Sequence, residues 1–311
     1  MSSRTPILLG ALLAVSGCRG EPTAPAGLEA GAPAEMAVTA SPPDSVVLVV
    51  AGDMHANCVN PSNRATRTAA IVERYPDALV IVLGDNAGQS GTPVEYACYD
   101  KSWGKFKSRT YATIGNHELN LDPTAKAFYD YFNGVGVDSG RAGFRGRAYY
   151  SLAYGGWRIL VANNHSKLEE QAAWMTRELA TNSKRCTMAI WHRPYFTSNP
   201  RTAPLTKIGN WWKVLYAGRA DVVLNGHDHQ YERFNRMNPN RAVDTARGLR
   251  EFVVGTGGTG LEDFPAVPLV GSQKRIKDWG VLKLTLWPAR YKWEFVDVAG
   301  VVRDRGNDKC R

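Results

Sequence analysis

The chain has 311 residues, and 44% of them are hydrophobic, which is enough to build the core of a large globular domain. Its formal net charge is +9, but the Lys and Arg residues are dispersed and leave no basic-aromatic groove in the sequence, which argues against a nucleic-acid-binding protein. Beyond residue 44, no apolar stretch reaches the roughly 20 residues of a membrane-spanning helix, so no such helix is predicted there.

The first 44 residues differ in composition from the rest of the chain. Arg4 precedes an apolar run at residues 6–15, and the following VSGC at residues 15–18 resembles a bacterial lipobox. We therefore predict a lipoprotein-type signal peptide at residues 1–18 with Cys18 as the lipidated residue; the alternative is an ordinary secretory signal with an incidental cysteine. The protein would then be exported, facing the periplasm or the cell exterior, and anchored to a membrane only through this lipid.

Residues 19–44 are rich in Ala, Pro and Gly and have few large apolar side chains, so they predict a flexible tether. The remaining residues, 45–311, have the length of one large α/β domain. Short runs rich in Val, Ile and Leu predict buried strands. These lie at about residues 46–51, 78–83, 111–114, 157–162, 186–191, 220–224 and 251–255.

Helical patterns lie between these strands. Residues 63–75 predict a helix that Pro76 ends, and residues 166–180 predict another, with Ser166 and Glu169 as its capping box. Alternation over 279–287 and again over 290–297 predicts an antiparallel hairpin. Parallel βαβ units followed by antiparallel strands predict an α/β protein with two packed sheets and helices outside.

Besides Cys18, the chain has four cysteines, an even number that suggests two disulfides in an exported protein. Three pairings are possible, and reduced buried cysteines are the alternative. Cys58 and Cys98 both follow strand-end motifs on the same side of the predicted sheet. We therefore favour the pairs Cys58–Cys98 and Cys186–Cys310.

Five of the apolar runs end in residue types that bind metals, and five of the six histidines lie at these ends. Ligands of open α/β sheets bind beyond the carboxyl ends of the strands, so these side chains predict one site. Carboxylates, carboxamides and imidazoles suit divalent metals, and a carboxylate can bridge two ions about 3.5–4 Å apart that promote displacement at phosphorus. The candidate residues are Asp53, His55, Asp85, Asn116, His117, His192, His227 and His229.

The motifs GDMH, GDN, GNHE, WHRP and GHDH together resemble the signature blocks of calcineurin-like metallophosphoesterases. WHRPYFTSNP and VLNGHDHQYERF are similar to the purple acid phosphatase branch, and in particular to small bacterial single-domain members that are purple acid phosphatase-like or alkaline phosphatase-like. The resemblance covers nearly all of residues 46–311. It implies a four-layer αββα double β-sandwich with a dinuclear metal centre, and it makes residues 45–311 the catalytic domain.

The resemblance also implies a role for each site residue. Asp53 and His229 would bind metal one, and Asp85 would bridge both ions. Asn116, His192 and His227 would bind metal two, and His117 would stabilise the pentacoordinate phosphorus or protonate the leaving oxygen. On the loop after His192, Asn199 and Arg201 would hold the phosphate, although a solvated surface arginine is an equally good interpretation of Arg201.

One position departs from the purple acid phosphatase pattern. That family has a Tyr three residues after the bridging Asp, whereas this chain has Gly88. His55 stands where other calcineurin-like enzymes supply a histidine ligand, and we interpret it as replacing the tyrosinate on metal one, the alternative being a donor that supports the ligands. A neutral imidazole stabilises a trivalent ion less than a phenolate does, so we expect two divalent ions, such as Zn, Mn or Fe, and no purple colour.

The predicted function is a phosphoesterase that hydrolyses small phosphate monoesters by attack of a metal-bridging hydroxide. The alternatives are a phosphodiesterase or nucleotidase with the same metals and, from another class, a non-catalytic metal-binding surface lipoprotein. Two further patterns are assigned no part in this chemistry. The GxGxxG at residues 255–260 opens no helix and is interpreted as a loop beside the cleft, and His165 is interpreted as a structural or rim residue.

Overall fold

The structure is a computed structural model that describes residues 36–37, 45–54, 64–202 and 205–311. The strands are β1 Met36–Ala37, β2 Val46–Ala51, β3 Leu79–Val82, β4 Thr110–Ala112, β5 Tyr150–Tyr154, β6 Trp157–Val161, β7 Cys186–Ile190, β8 Val222–Asn225, β9 Tyr231–Met237, β10 Leu249–Val254, β11 Ser272–Ile276, β12 Gly280–Trp287, β13 Arg290–Asp297 and β14 Val302–Lys309. The α-helices are α1 Arg64–Glu73, α2 Pro93–Asp100, α3 Lys126–Phe132, α4 Leu168–Ala180 and α5 Gly209–Ala217. Short 3-10 helices cover Trp103–Arg109, His117–Leu119 and Thr206–Ile208.

The strands form two mixed sheets. One has the order β1-β5-β6-β7-β8-β10-β9-β11, and the other has the order β14-β13-β12-β2-β3-β4. One hydrophobic cluster contains side chains of both sheets, including Leu284 of β12 and Ile159 of β6. A second cluster joins the eight-stranded sheet to α4 and α5 through Trp174 and Trp212. These layers confirm the predicted double β-sandwich.

Strand β7 shows why the strands have continuous apolar sequences. Met188 and Ile190 point into the cluster between the sheets, whereas Ala189 and Trp191 belong to the cluster beneath the helices. All four side chains are fully buried. Burying an Ile or Met side chain contributes about 1.5–3 kcal/mol, so a strand covered on both faces needs apolar residues at every position.

The parallel registers align the strand ends. In the six-stranded sheet, Ala51 pairs with Val82 and Val82 pairs with Ala112. In the other sheet, Val161 pairs with Ile190 and Ile190 pairs with Leu224. Because parallel strands in register end at the same edge, the residues that follow them come together there.

The predicted hairpin is confirmed, with β12 and β13 antiparallel from Gly280–Asp297 to Trp287–Arg290. The predicted capping box at Ser166 and Glu169 is wrong. The residue that precedes α4 is Lys167 in the left-handed conformation, with a φ of 52°, and its side chain makes no capping hydrogen bond. A capping box lies instead at α2, where Thr92 and Glu95 cap each other's backbone amides.

The predicted disulfide Cys186–Cys310 is present and ties the start of β7 to the C-terminal residues. Cys98 is also disulfide-bonded. Its predicted partner, Cys58, lies outside the described residues, as does Cys18, so that pairing stays a prediction. Among the described residues, no helix combines the length and the apolar character needed to cross a membrane.

Candidate metal centre

Polar side chains from the ends of five strands meet at one place. Asp53 follows β2, Asp85 follows β3, Asn116 follows β4, His192 follows β7 and His227 follows β8. Three of them have a left-handed backbone, with φ values of 58° for Asp53, 51° for Asp85 and 70° for His227. This conformation costs a non-glycine residue about 1–3 kcal/mol and is concentrated at functional sites.

Two glycines allow neighbouring strand ends to pack closely against the carboxylates of Asp53 and Asp85. A Cβ atom on Gly226 would lie 2.7 Å from Asp53 Oδ2, and one on Gly115 would lie 2.1 Å from Asp85 Oδ1. Such distances are shorter than real contacts, so any larger residue would displace a carboxylate. The glycine before His227 in GHDH and the glycine before Asn116 in GNHE are therefore required by packing against the acidic ligands.

His192 is the centre of the first half of the site. Its fully buried Nε2 lies 3.2 Å from Asp85 Oδ2, 3.1 Å from Asn116 Oδ1 and 3.2 Å from His227 Nδ1. Asp85, His192 and His227 each offer a ligand atom, and these atoms all lie within 4.8 Å of one another. Four donor atoms that suit a divalent metal thus surround one point.

The hydrogen bonding of His192 tests whether a cation fits this point. Its Nδ1 lies 2.8 Å from the carbonyl oxygen of Leu83, so Nδ1 must be the protonated nitrogen. In the neutral ring, Nε2 then presents a lone pair towards the lone pairs of Asp85 and Asn116, and a cation between them would satisfy all three. Burial alone would lower the pKa of His192, but the Asp85 carboxylate raises it to about 9, so the site strongly favours a positive charge.

Asp53 and His229 form the second half. Asp53 Oδ2 accepts a hydrogen bond from the His227 backbone amide at 2.8 Å, whereas Oδ1 is buried without a hydrogen-bond partner among the described residues. Oδ1 lies 3.7 Å from His229 Nε2. His229 Nδ1 faces the carbonyl oxygen of Gly260 at 3.0 Å, so its Nε2 also presents a lone pair. Burial raises the pKa of Asp53 well above its usual range, which a second cation would reverse.

His117 lies at the edge of this cluster. Its backbone amide donates to Asp85 Oδ1 at 2.9 Å, and its Nδ1 lies 2.7 Å from the carbonyl oxygen of Gln89. Nε2 is 3.6 Å from Asp85 Oδ2, and one fifth of the side chain is exposed. His117 therefore borders the carboxylate of Asp85 while it stays open to solvent.

Glu118 supports the backbone of two of these strand ends. Its buried carboxylate accepts backbone hydrogen bonds from Asp85 at 2.9 Å, Asn86 at 2.7 Å and Gly115 at 2.7 Å. Burial, reinforced by the neighbouring Asp85, raises the pKa of Glu118. The carboxyl group thus holds the segments after β3 and β4 together.

The segment 193–202 after β7 is held by acidic side chains. The carboxylate of Glu251 accepts the Tyr195 and Phe196 amides at 3.0 Å each, and Glu232 accepts the Ser198 amide at 2.8 Å. Asp228, between His227 and His229, accepts the hydroxyl hydrogen bonds of Thr197 and Thr202. These contacts were not foreseen from the sequence, because carboxylates scattered over β9, β10 and the GHDH motif show no common spacing.

The two predicted substrate contacts differ in their surroundings. Asn199 is buried, and its Nδ2 donates to Glu262 at 2.5 Å and to Asp228 at 3.3 Å, while its Oδ1 accepts the Arg201 amide at 3.0 Å. The Asn199 side chain is therefore used within the loop. Arg201 is 79% exposed, and its Nη1 lies 3.5 Å from Glu262. Their roles towards a substrate stay predictions.

Three other sequence predictions concern this region. His55, the expected further ligand, lies outside the described residues. The glycine-rich segment at residues 255–260 forms a loop and opens no helix, as expected, and its Gly260 carbonyl orients His229. His165, interpreted as structural, lies closer to the cluster than its motif suggested, with its ring 6.0 Å from that of His192.

Comparison with known proteins agrees with this geometry. The family model described as Calcineurin-like phosphoesterase matches residues 46–231. Purple acid phosphatase 15 of Arabidopsis thaliana is 30% identical over 171 residues, which cover 50% of this chain and 32% of that protein. Purple acid phosphatase 23 of the same plant is 26% identical over 231 residues, which cover 63% of this chain and 50% of that protein. The chain thus spans between about a third and a half of the length of these curated relatives.

A solved structure has the same fold. Purple acid phosphatase PPD1 from yellow lupin, Lupinus luteus, superposes with a TM-score of 0.64 at 20% sequence identity. The match covers 85% of this chain and 53% of the lupin chain. The two mixed sheets and their helices are therefore an architecture that is shared with a purple acid phosphatase.

Proposed function

The chain belongs to the calcineurin-like phosphoesterase family, and we propose that it is a dinuclear-metal phosphoesterase that hydrolyses small phosphate monoesters. The main support is the convergence of Asp85, Asn116 and His227 on Nε2 of His192. Two imidazole nitrogens, a carboxylate oxygen and a carboxamide oxygen around one point form a donor set that suits a divalent metal. A cation bound there would replace the proton on Nε2 and supply the positive charge that this buried site favours.

The proposed ligands divide between two positions that share Asp85. Asn116, His192 and His227 would hold one ion, and Asp53 with His229 and His55 would hold the other. Two divalent ions bound there would supply Lewis acidity towards the phosphoryl oxygens and would lower the pKa of a bound water molecule.

Side chains of this protein would position the reacting groups and give the leaving oxygen its proton. His117 keeps its Nδ1–H on the Gln89 carbonyl, which leaves Nε2 as the atom that gives a proton to the leaving oxygen. Asp85 holds the His117 backbone through its amide, and the Gln89 carbonyl holds the ring through Nδ1, so both contacts favour an imidazole that lies beside the cluster. Glu118 keeps the Asp85 and Gly115 amides fixed, which limits reorganisation when negative charge develops on the phosphoryl group.

The surroundings of Gly88 support a divalent rather than an iron(III)–tyrosinate centre. Gly88 has a φ of 58°, and a Cβ atom there would lie 2.1 Å from the carboxyl group of Glu95. Glu95 itself accepts backbone hydrogen bonds from Gln89 and Thr92. A tyrosine could not occupy this position without displacing that turn, so we propose that the protein is colourless and binds two divalent ions.

The test combines metal analysis with two substrates. Metal content is measured by mass spectrometry, and kcat/KM is measured for p-nitrophenyl phosphate and bis(p-nitrophenyl) phosphate. Two metals per chain with a higher kcat/KM for the monoester support the proposal. A higher kcat/KM for the diester would replace it with a phosphodiesterase, two metals without activity would favour the binding lipoprotein, and folded protein that binds no metal would refute it.

We also propose export and lipid anchoring, supported by the lipobox-like VSGC at residues 15–18 and the tether at residues 19–44. Residues 15–18 lie outside the described part of the chain, as do residues 19–44 apart from the two residues of β1. In a bacterial host, the full chain should take up labelled palmitate and fractionate with membranes, and Cys18→Ala should abolish both. Soluble, unlabelled wild-type protein would contradict the anchor.

A further inference from the structure

Three polar atoms beside His192 have no role in the site described above. Asn164 Nδ2, His165 Nε2 and Arg193 Nε are buried, and none has a hydrogen-bond partner among the described residues. Leaving a buried donor unpaired costs about 1–3 kcal/mol. Three such atoms on two adjacent segments therefore indicate a ligand that accepts hydrogen bonds.

The topology brings these segments together. Asn164 and His165 follow β6, Arg193 follows β7, and these two strands are parallel neighbours. The Arg193 backbone amide donates to Asn164 Oδ1 at 3.3 Å, which assigns that atom as the oxygen and the unpaired atom as the amide nitrogen. The segments after β6 and β7 thus bring hydrogen-bond donors of Asn164, His165 and Arg193 to the side of the site next to His192.

The chemistry of the three groups selects the ligand. A guanidinium and a carboxamide nitrogen can only donate, so they cannot bind a metal. The imidazole nitrogen donates when it holds the ring proton. Guanidinium donors in particular match the oxygens of phosphate and carboxylate groups.

We propose that Asn164, His165 and Arg193 form an anion subsite that binds phosphate or carboxylate oxygens of the substrate beside His192. The assignment rests on the proposed phosphoesterase function and deepens it. The oxygens belong either to the phosphate that is hydrolysed or to a second anionic group on the same substrate molecule.

There is space for a substrate next to this subsite. His165 also lines a pocket of about 240 Å³ with Ile114, Leu119, Thr124 and Tyr129. Ile114 precedes and Leu119 follows the segment that contains Asn116 and His117. The pocket therefore lies beside the proposed ligands and can receive the organic part of a small ester.

The test measures anion binding separately from turnover. Inorganic phosphate is titrated calorimetrically into metal-loaded wild type, Arg193→Ala and Asn164→Asp, with metal content checked for each. Asn164→Asp keeps the oxygen that accepts the Arg193 amide but replaces the donor with an acceptor, so it preserves the local fold. We expect phosphate to bind at least about 10-fold more weakly to both variants, the effect of losing a hydrogen bond to a charged group.

Lys167→Asn is the matched control for the loss of a positive charge. Lys167 lies two residues after His165 with a partly exposed side chain, and asparagine tolerates its left-handed backbone. This variant should bind phosphate within about twofold of wild type. Wild-type phosphate affinity in Arg193→Ala and Asn164→Asp, at full metal content, would overturn the proposal.

Turnover of phenyl phosphate and 4-carboxyphenyl phosphate distinguishes the two sources of the oxygens. An equal loss of kcat/KM for both esters in Arg193→Ala identifies the scissile phosphate as the bound group. A loss confined to the carboxylated ester identifies a second anionic group. If wild type binds phosphate in this subsite but hydrolyses no ester, the proposed function fails while the subsite stands.

Discussion

Replacing Asp85 with asparagine tests the proposed bridging role while it leaves the fold intact. The carboxylate is 1% exposed and has a left-handed backbone, and its Oδ1 accepts the His117 amide at 2.9 Å. Asparagine tolerates this backbone and keeps that acceptor, so the substitution mainly removes a negative charge. We expect neither ion to bind tightly in Asp85→Asn.

The expected magnitude follows from linkage. If each of two sites is exposed to free metal at about 100 times its Kd, binding contributes about 2.7 kcal/mol per site to the free energy of unfolding, or roughly 5 kcal/mol in total. For a domain of this size, 1 kcal/mol shifts Tm by about 2–4 °C, so added metal should raise the wild-type Tm by roughly 10–20 °C. The Tm of Asp85→Asn should rise by less than about 3 °C.

Activity gives a second readout. Losing several kcal/mol of Lewis-acid stabilisation lowers kcat by at least about 10³-fold. Asp77→Asn is the control, because Asp77 is an exposed carboxylate just before β3, at the opposite end of the strand from Asp85. A metal-dependent rise in Tm in Asp85→Asn as large as in wild type would refute the reasoning.

Three further outcomes are expected. His117→Asn should lower kcat by about 10²–10⁴-fold at unchanged metal content, more for an alkyl phosphate than for p-nitrophenyl phosphate, and equal losses for both esters would contradict its role as proton donor. Burial raises the pKa of Asp221 to about 6, so the folded state keeps this proton to a higher pH than the unfolded state does. The contribution of Asp221 to the free energy of unfolding therefore falls by about 2–3 kcal/mol as the pH rises from about 4 to about 6. In urea unfolding, the stability of Asp221→Asn should fall less over this pH range than that of wild type, by about this amount, and an unchanged slope would count against the assignment. Cys310→Ser removes a disulfide between residues 124 apart in sequence, so it should lower the free energy of unfolding by about 3–5 kcal/mol. It should leave kcat unchanged, because Cys186 begins β7 whereas His192 follows the opposite end of that strand. A large loss of kcat would show that the two ends of β7 are coupled.

The sequence predicted the parts of the fold that rest on one-dimensional patterns. The apolar runs of β2, β3 and β7 mark strands buried on both faces, and the polar residues directly after them mark the site. The left-handed conformation of Asp53 and the unpaired donors around Arg193 had no such signal. They depend on tertiary contacts, in which residues far apart in sequence lie against each other.

The wrong prediction of a capping box at α4 has the same cause. Ser166 and Glu169 have the spacing of a capping box, but the Ser166 hydroxyl accepts a hydrogen bond from Asn163 Nδ2, and its carbonyl accepts one from Gln171. The side-chain amide of Gln171 thus replaces the serine cap by bonding the backbone around it. Local spacing cannot reveal such competition between side chains.

The left-handed backbone at Asp53, Asp85 and His227 has a consequence for how the protein evolves. Each residue costs about 1–3 kcal/mol relative to glycine, and the buried Asp53 carboxyl adds a desolvation penalty. A descendant that exchanged these ligands for glycine or asparagine would tolerate more mutations elsewhere, because its stability reserve would be larger. Drift would therefore erase this ligand set unless selection for its chemistry maintained it.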